Sequence, residues 1–293
     1  MMTLGLNVLP YWSSMDHTRR IVIVRHGERC DFVFNQGGVS WMKRAFDSSG
    51  RYTPFDVNLP RIVPKRKDGW QKFATDTPLT EMGYLQSKLT GRSLRDKNIR
   101  FDHVFCSSAL RCVQTAVGIL KGLGDAKAQI SIEPGLYEWM QWCRTGRPSW
   151  MSPSELAKLG YPITANYAPF VRESDLKMEE NLYNYYERSY MLMQEIIRKC
   201  PTGNILIVGH GASLETLTRQ ICGSEPRSNE DFFYLLHNTP YLSTIQIAEH
   251  MGKWSLAGSP IPSLTHSSNS SYDGSQLQMN TSTLQDRVKN HFG

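Results

Sequence analysis

Three short, continuously apolar runs punctuate the chain: Ile21 to Val24, Val104 with Phe105, and Ile205 to Val208. Each gives way to a polar or glycine-containing turn, the pattern of strands buried on both faces of a parallel sheet. Between them the apolar spacing lengthens to the helical period. Val113, Ala116, Val117 and Leu120 fall at i, i+3, i+4 and i+7 behind Ser107 and Ser108, either of which fits a helix N-cap. Thr80 precedes a second such stretch, with Met82, Leu85 and Leu89 on one face. Leu182, Tyr186, Met193, Ile196 and Ile197 share a face of a longer helix, which Cys200-Pro201-Thr202-Gly203 should stop. Strands alternating with helix-length segments predict an α/β fold: an open, mostly parallel sheet flanked by helices, with ligands bound beyond the carboxyl ends of the strands.

Two segments break this rhythm. Residues 31–77 hold eight aromatics in 47 positions (Phe32, Phe34, Trp41, Phe46, Tyr52, Phe55, Trp70, Phe73) and a basic cluster at Lys65-Arg66-Lys67, without periodicity. This is an insertion after the first strand, and it is too aromatic for a linker. From Ser263 to Thr283, 10 of 21 residues are Ser or Thr and no apolar pattern survives, which predicts a mobile tail over 269–293.

At 293 residues with 40% hydrophobic and 20% charged positions, the chain suits one large domain and excludes disorder as its main state. A net charge of +6 favours an anionic ligand but is too mild to imply nucleic acid without a clustered stripe. No apolar run reaches the roughly 18 residues of a membrane span, and residues 1–18 lack the pattern of a secretory leader, so a cytoplasmic protein is expected. The six cysteines are scattered without a C-x-x-C pair, which argues for reduced, mostly buried thiols and against a metal site or disulfide framework. Neither cofactor nor metal is expected.

The candidate chemistry sits at the strand ends. Ile21-Val22-Ile23-Val24-Arg25-His26-Gly27-Glu28-Arg29 places a histidine just past a buried strand, between two arginines, beside a glycine that lets the backbone bend towards a ligand. A neutral imidazole is a competent nucleophile towards phosphorus, and guanidinium groups hold phosphate oxygens by charge-assisted hydrogen bonds. Ile205-Leu206-Ile207-Val208-Gly209-His210-Gly211 repeats the geometry, so His26 could attack a phosphate to which His210 donates. Cys106-Ser107-Ser108-Ala109-Leu110-Arg111 runs from strand end into helix start and puts Arg111 near the positive end of a helix. A cysteine-dependent phosphatase loop needs five residues between its Cys and Arg, whereas Cys106 and Arg111 enclose four.

Together these three motifs resemble the histidine phosphatase superfamily, with its three-layer, phosphoglycerate mutase-like fold. Longer stretches are similar to the phosphatase domain of the Sts/TULA proteins and to the insect ecdysteroid-phosphate phosphatases. They are His103 to Ala116, Glu133-Pro134-Gly135-Leu136-Tyr137-Glu138-Trp139, Arg51-Tyr52, and Pro260 to His266. The similarity covers residues 19–268, leaving 1–18 as an N-terminal extension.

The resemblance implies that His26 is phosphorylated, that Arg25, Arg29, Arg111 and His210 form the phosphate pocket, and that Glu138, shielded by Trp139 and Trp142, is the acid. By residue type alone, Glu28, Glu133 and Glu215 remain open for that last role. The expected activity is that of a metal-independent phosphomonoesterase acting through a phosphohistidine on aryl or apolar-alcohol phosphates. Phosphotyrosine and steroid phosphates are examples, so protein tyrosine phosphatase activity is included, with the aromatics of 31–77 forming part of the pocket wall. A mutase-like phosphotransferase and a non-catalytic phospholigand-binding scaffold are the alternatives; retention of His26 and Glu138 speaks against the scaffold. Relatives of this type form dimers, so a homodimer is expected. Sts/TULA proteins carry ubiquitin-binding and SH3 modules before this domain, and recruitment through them is not expected here. The second motif reads Gly-His-Gly-Ala-Ser where those proteins have Ala-His-Ala-Ser-Ser, which should loosen the backbone around His210.

Overall fold

All three apolar runs form the middle of one six-stranded sheet. In chain order the strands are β1 (Arg20–Arg25), β2 (His103–Cys106), β3 (Ser131–Ile132), β4 (Ile205–Gly209), β5 (Thr244–His250) and β6 (Lys253–Gly258), arranged β3-β2-β4-β1-β5-β6. The first four in that order run parallel; β5 pairs antiparallel with β1 and with β6. The computed structural model describes residues 19–35, 40–143, 145–264 and 277–278. The expected extension over 1–18 lies outside the described residues, as does the 269–293 tail apart from Leu277 and Gln278.

The helices are α1 (Cys30–Phe34), α2 (Trp41–Ala45), α3 (Glu81–Asp96), α4 (Leu110–Leu123), α5 (Pro153–Lys158), α6 (Leu182–Lys199), α7 (Ser213–Thr216) and α8 (Asn229–His237). Successive strand side chains point to opposite faces. Val22, Val24, Leu206 and Val208 therefore join α4 in one core layer, and Ile21, Ile23, Ile205 and Ile207 join α6 and α7 in the other. Burial on both faces is why these strands read as unbroken apolar runs. The result is the expected open, mostly parallel sheet between two helical layers.

Thr80 caps α3 as expected, its side chain accepting from the Gly83 amide. The buried face of α3 is not the predicted one. Met82 and Leu85 are 39% and 45% exposed, while Gly83, Gln86, Ser87, Thr90, Gly91 and Leu94 turn inward. The helix meets α4 backbone to backbone: a Cβ added at Gly91 would lie 2.0 Å from the Ile119 carbonyl oxygen, and one at Gly122 would lie 2.1 Å from that of Lys88. Close approach between small residues has replaced apolar burial at this contact.

The cap of α4 also differs from expectation. Ala109 occupies the cap position with no side-chain bond. Asp76 supplies the missing acceptor from the insertion, taking the Leu110 amide at 2.8 Å on Oδ1 and Arg66 Nη1 at 2.8 Å on Oδ2. Both side chains of this ion pair are fully buried. The buried aromatics of the insertion extend the core layer of α4. Phe46 stacks on Trp70 at 4.9 Å, and Trp41 and Phe73, each 1% exposed, pack around that pair. Leu277 is buried in the α6 layer and its carbonyl accepts from Arg227 Nη2 at 3.0 Å.

Candidate active site

The strand register brings three turns to one edge of the sheet. Arg25 lies opposite Gly209 and Cys106 opposite Val208, so His26, Ser107 and His210 leave their strands side by side. The His26 amide donates to the Gly209 carbonyl at 2.9 Å and the Ser107 amide to that of Val208 at 3.0 Å. The two imidazole rings meet edge-on, with centroids 5.4 Å apart.

His26 is 2% exposed and its Nδ1 lies 2.8 Å from the Gly27 carbonyl. A carbonyl only accepts, so Nδ1 carries the proton and Nε2 keeps its lone pair. Burial, then the charges of Arg111 and Arg25, hold this imidazole well below its usual pKa and hence neutral. The Gly27 amide donates to Thr115 Oγ1 at 3.0 Å. Gly27 is small for the sake of α3 rather than of a ligand: a Cβ there would lie 2.8 Å from the Gly83 carbonyl oxygen.

His210, 1% exposed, is neutral for the same reasons, burial first and Arg111 second. Its Nδ1 faces Arg111 Nη2 at 3.2 Å and its Nε2 meets Ser107 Oγ at 2.9 Å. A guanidinium only donates, so the ring proton lies on Nε2 and goes to Ser107. The flanking glycines do not loosen this turn. Ser213 Oγ accepts from the His210 amide at 2.9 Å and would sit 2.7 Å from a Cβ at Gly209; a Cβ at Gly211 would lie 3.4 Å from Arg25 Nε.

Arg111 is 0% exposed and its Nη2 donates to Glu138 Oε1 at 2.5 Å. Its Nε and Nη1, and Nε of Arg25, are buried with no hydrogen-bond partner among the described residues. Unmatched buried donors on two cations are costly unless an anion meets them. Arg25 donates through Nη1 to the Thr239 carbonyl and lies 4.5 Å from the centre of the Tyr241 ring. Arg29 holds Asp31 by two bonds, Nε–Oδ1 at 2.7 Å and Nη2–Oδ2 at 2.6 Å.

Of the carboxylates left open by sequence, only Glu138 faces this cavity. Glu133 accepts from the amides of Gly135, Phe170 and Val171 and from the Tyr167 hydroxyl. Glu28 takes the Thr80 hydroxyl and the Asn58 amide, and Glu215 pairs with Arg227. Glu138 Oε2 lies 3.7 Å from His210 Nδ1.

A cavity of about 520 Å³ is lined by Arg25, His26, Arg29, Glu138, Phe32 and Trp142, with Leu236 and His237 at its rim. Arg111 and His210, 0% and 1% exposed, are not among its lining residues. Trp142 lines the cavity together with Glu138, whereas Trp139 packs on Phe232. Of the eight insertion aromatics only Phe32, 70% exposed, lines this cavity; Trp41, Phe46 and Phe73 are core. A larger cavity of about 750 Å³ between Arg61, α3 and α4 contains none of the six predicted residues. Among the described residues, no group of three or more His, Cys, Asp or Glu is placed to hold a metal ion, and no helix is long and apolar enough to cross a membrane.

Ser107, Thr115, Asp31 and Tyr241 were not singled out by sequence as site residues. Ser107 carried only a capping signal, Asp31 pairs with its near neighbour Arg29, and Thr115 and Tyr241 show their role only through contacts distant in the chain.

The chain is 40% identical over 254 residues to the mouse ubiquitin-associated and SH3 domain-containing protein B, covering 85% of this chain and 39% of that protein. It is 36% identical over 262 residues to the Drosophila melanogaster ecdysteroid-phosphate phosphatase, covering 88% and 34% respectively. It thus spans under half the length of these relatives. The crystal structure of the Bombyx mori ecdysone phosphate phosphatase in complex with tungstate superposes with a TM-score of 0.73 at 28% identity, covering 85% of this chain and 95% of that one. The family model for the histidine phosphatase superfamily (branch 1) matches residues 63–257, a span that holds Arg111, Glu138 and His210 and begins after Arg25 and His26. With two thirds of its length matched and a strand edge that gathers both histidines, the chain belongs to the histidine phosphatase superfamily.

Proposed function

We propose that the protein is a phosphomonoesterase that works through a phosphohistidine at His26. The observation that carries this reading is the neutral imidazole with Nδ1–H tied to Gly27 and Nε2 free, beside buried guanidinium donors without a partner among the described residues. A phosphate dianion meets Arg25 and Arg29 at the cavity wall and competes with Glu138 for Arg111. Nε2 of His26 then forms a bond to phosphorus as the ester P–O bond breaks, and Glu138, displaced from Arg111 and carrying a proton taken up from solvent, passes that proton to the leaving oxygen. In the second half Glu138 takes a proton from water, the water oxygen bonds to phosphorus, the P–N bond breaks and His26 recovers its lone pair. Arg111 stabilises the charge on the equatorial oxygens through Nε and Nη1, while His210 Nδ1 holds Nη2 of that guanidinium in place. No step requires a metal.

The substrates we infer are aryl or apolar-alcohol phosphates, phosphotyrosine and steroid phosphates included. Phe32, Trp142 and Leu236 give the mouth an apolar surface for such a leaving group. The ecdysteroid-phosphate phosphatase relatives support the choice of ester, and the silkworm enzyme's complex with tungstate supports an oxyanion ligand. Six unpaired thiols suit a reducing, cytoplasmic setting.

The test is hydrolysis of p-nitrophenyl phosphate in EDTA. Wild type is expected to turn over and to form an acid-labile phosphoenzyme, whereas His26→Ala loses at least ~10³-fold in kcat/KM. Equal rates in the two would refute the reading.

A further inference from the structure

Glu138 sits in the 133–143 segment, where only 3-10 turns, Pro134–Leu136 and Met140–Trp142, flank it. No regular element fixes its carboxylate. The fixing comes from one side chain on α6. Arg188 Nη1 donates to the carbonyls of Gly135 at 2.6 Å and Tyr137 at 3.0 Å, and its Nη2 reaches that of Glu138 itself at 3.4 Å. The same guanidinium holds Glu180 by a fork, Nε–Oε2 at 3.0 Å and Nη2–Oε1 at 2.6 Å. Glu180 closes the loop from the other end. Its Oε1 accepts from the Met140 amide at 3.0 Å, and its backbone carbonyl accepts from Trp139 Nε1 at 2.7 Å. The pair is only 11% and 6% exposed, and Tyr185 lies under the guanidinium at 4.8 Å.

From this geometry we infer that Arg188 and Glu180 are positioning residues for Glu138. They clamp the backbone on both sides of the acid, so that its carboxylate is held at the cavity wall, between Arg111 and the place of the leaving oxygen. The inference rests on Glu138 being the proton donor. Neither residue touches the cavity around His26, so neither is a catalytic group. The planar fork is needed: lysine offers one charged nitrogen and cannot bind three carbonyls and a carboxylate at once.

A misplaced acid has a signature that a weakened fold lacks. Proton donation matters for a poor leaving group and hardly at all for p-nitrophenolate, which departs as an anion. The experiment measures kcat/KM, which reports the first phosphoryl transfer, for phenyl phosphate and p-nitrophenyl phosphate in wild type, Arg188→Ala, Arg188→Lys, Glu180→Gln and Glu138→Gln. General acid catalysis is worth about 10²–10⁴-fold. Arg188→Ala is therefore expected to lose roughly 10²-fold on phenyl phosphate and under about tenfold on p-nitrophenyl phosphate, with partial rescue by added guanidinium ion. Arg188→Lys should behave like the alanine variant. Glu180→Gln, which keeps the Met140 contact, should show the same bias more weakly and serves if Arg188→Ala does not fold. Equal losses on both substrates, or none, overturn the inference. Glu138→Gln separates the two readings. If it shows the leaving-group bias and the α6 variants do not, the positioning role alone fails. If it shows none, the acid assignment falls and the inference with it.

Discussion

Phe32 and Trp41 lie in the same aromatic segment and have opposite fates. Phe32 projects into the cavity over Arg29, 4.7 Å from its guanidinium, while Trp41 is enclosed by Phe46 and Phe73. Phe32→Ala should leave the melting temperature unchanged and reduce the preference for aryl over alkyl phosphates severalfold. Trp41→Ala should cost ~3–5 kcal/mol of stability and leave that preference alone. Denaturant titration and a two-substrate kcat/KM ratio separate these outcomes. At this scale the sequence was most informative where chemistry follows directly on a buried strand, as at Arg25, His26 and His210. It was silent where a residue acts through something remote: Asp76 meets Leu110 across 34 positions and Arg188 meets Gly135 across 53. No spacing rule reaches that far.

The contact between α3 and α4 tests a different kind of inference. The start of α3 was legible from Thr80, but the buried face was not, since Gly83, Ser87 and Gly91 carry no apolar signal. Gly91→Ala should destabilise by about 1–3 kcal/mol or more, because the clash is with the Ile119 carbonyl, which cannot rotate away as a side chain can. Met82→Ser, on the exposed face, should be close to neutral. A melting temperature unchanged in Gly91→Ala would contradict the backbone-to-backbone packing. Strands β5 and β6 were also missed. The outer strand β6 alternates exposed and half-buried positions, and β5 loses its burial towards Glu249 and His250, so neither presents a continuous apolar run.

For the molecule as a whole, two buried neutral histidines tie stability to pH. Their native pKa values are lowered, by burial first and by Arg111 next, from the usual 6.5. Above that pH both states leave the rings neutral and nothing is lost. Below it the unfolded chain binds protons that the native site refuses, so stability falls as the pH drops towards the depressed native values. The urea midpoint is expected to decline between about pH 7 and pH 5, and the decline should be shallower in His26→Ala/His210→Ala. A slope unaffected by removing both rings would mean that other groups set it. Asp76, Glu133 and Glu215, which burial pushes upward, act in the opposite sense at lower pH, so the difference between variant and wild type isolates the imidazoles. The buried Arg66–Asp76 pair has a consequence for anyone wishing to graft this site onto a leaner scaffold. Trimming the segment between β1 and α3 would strip the first turn of α4 of its acceptor and misdirect the guanidinium of Arg111. The loop is thus not an ornament that can be pruned, and a minimal transplant must carry residues 66 and 76 along with the sheet edge.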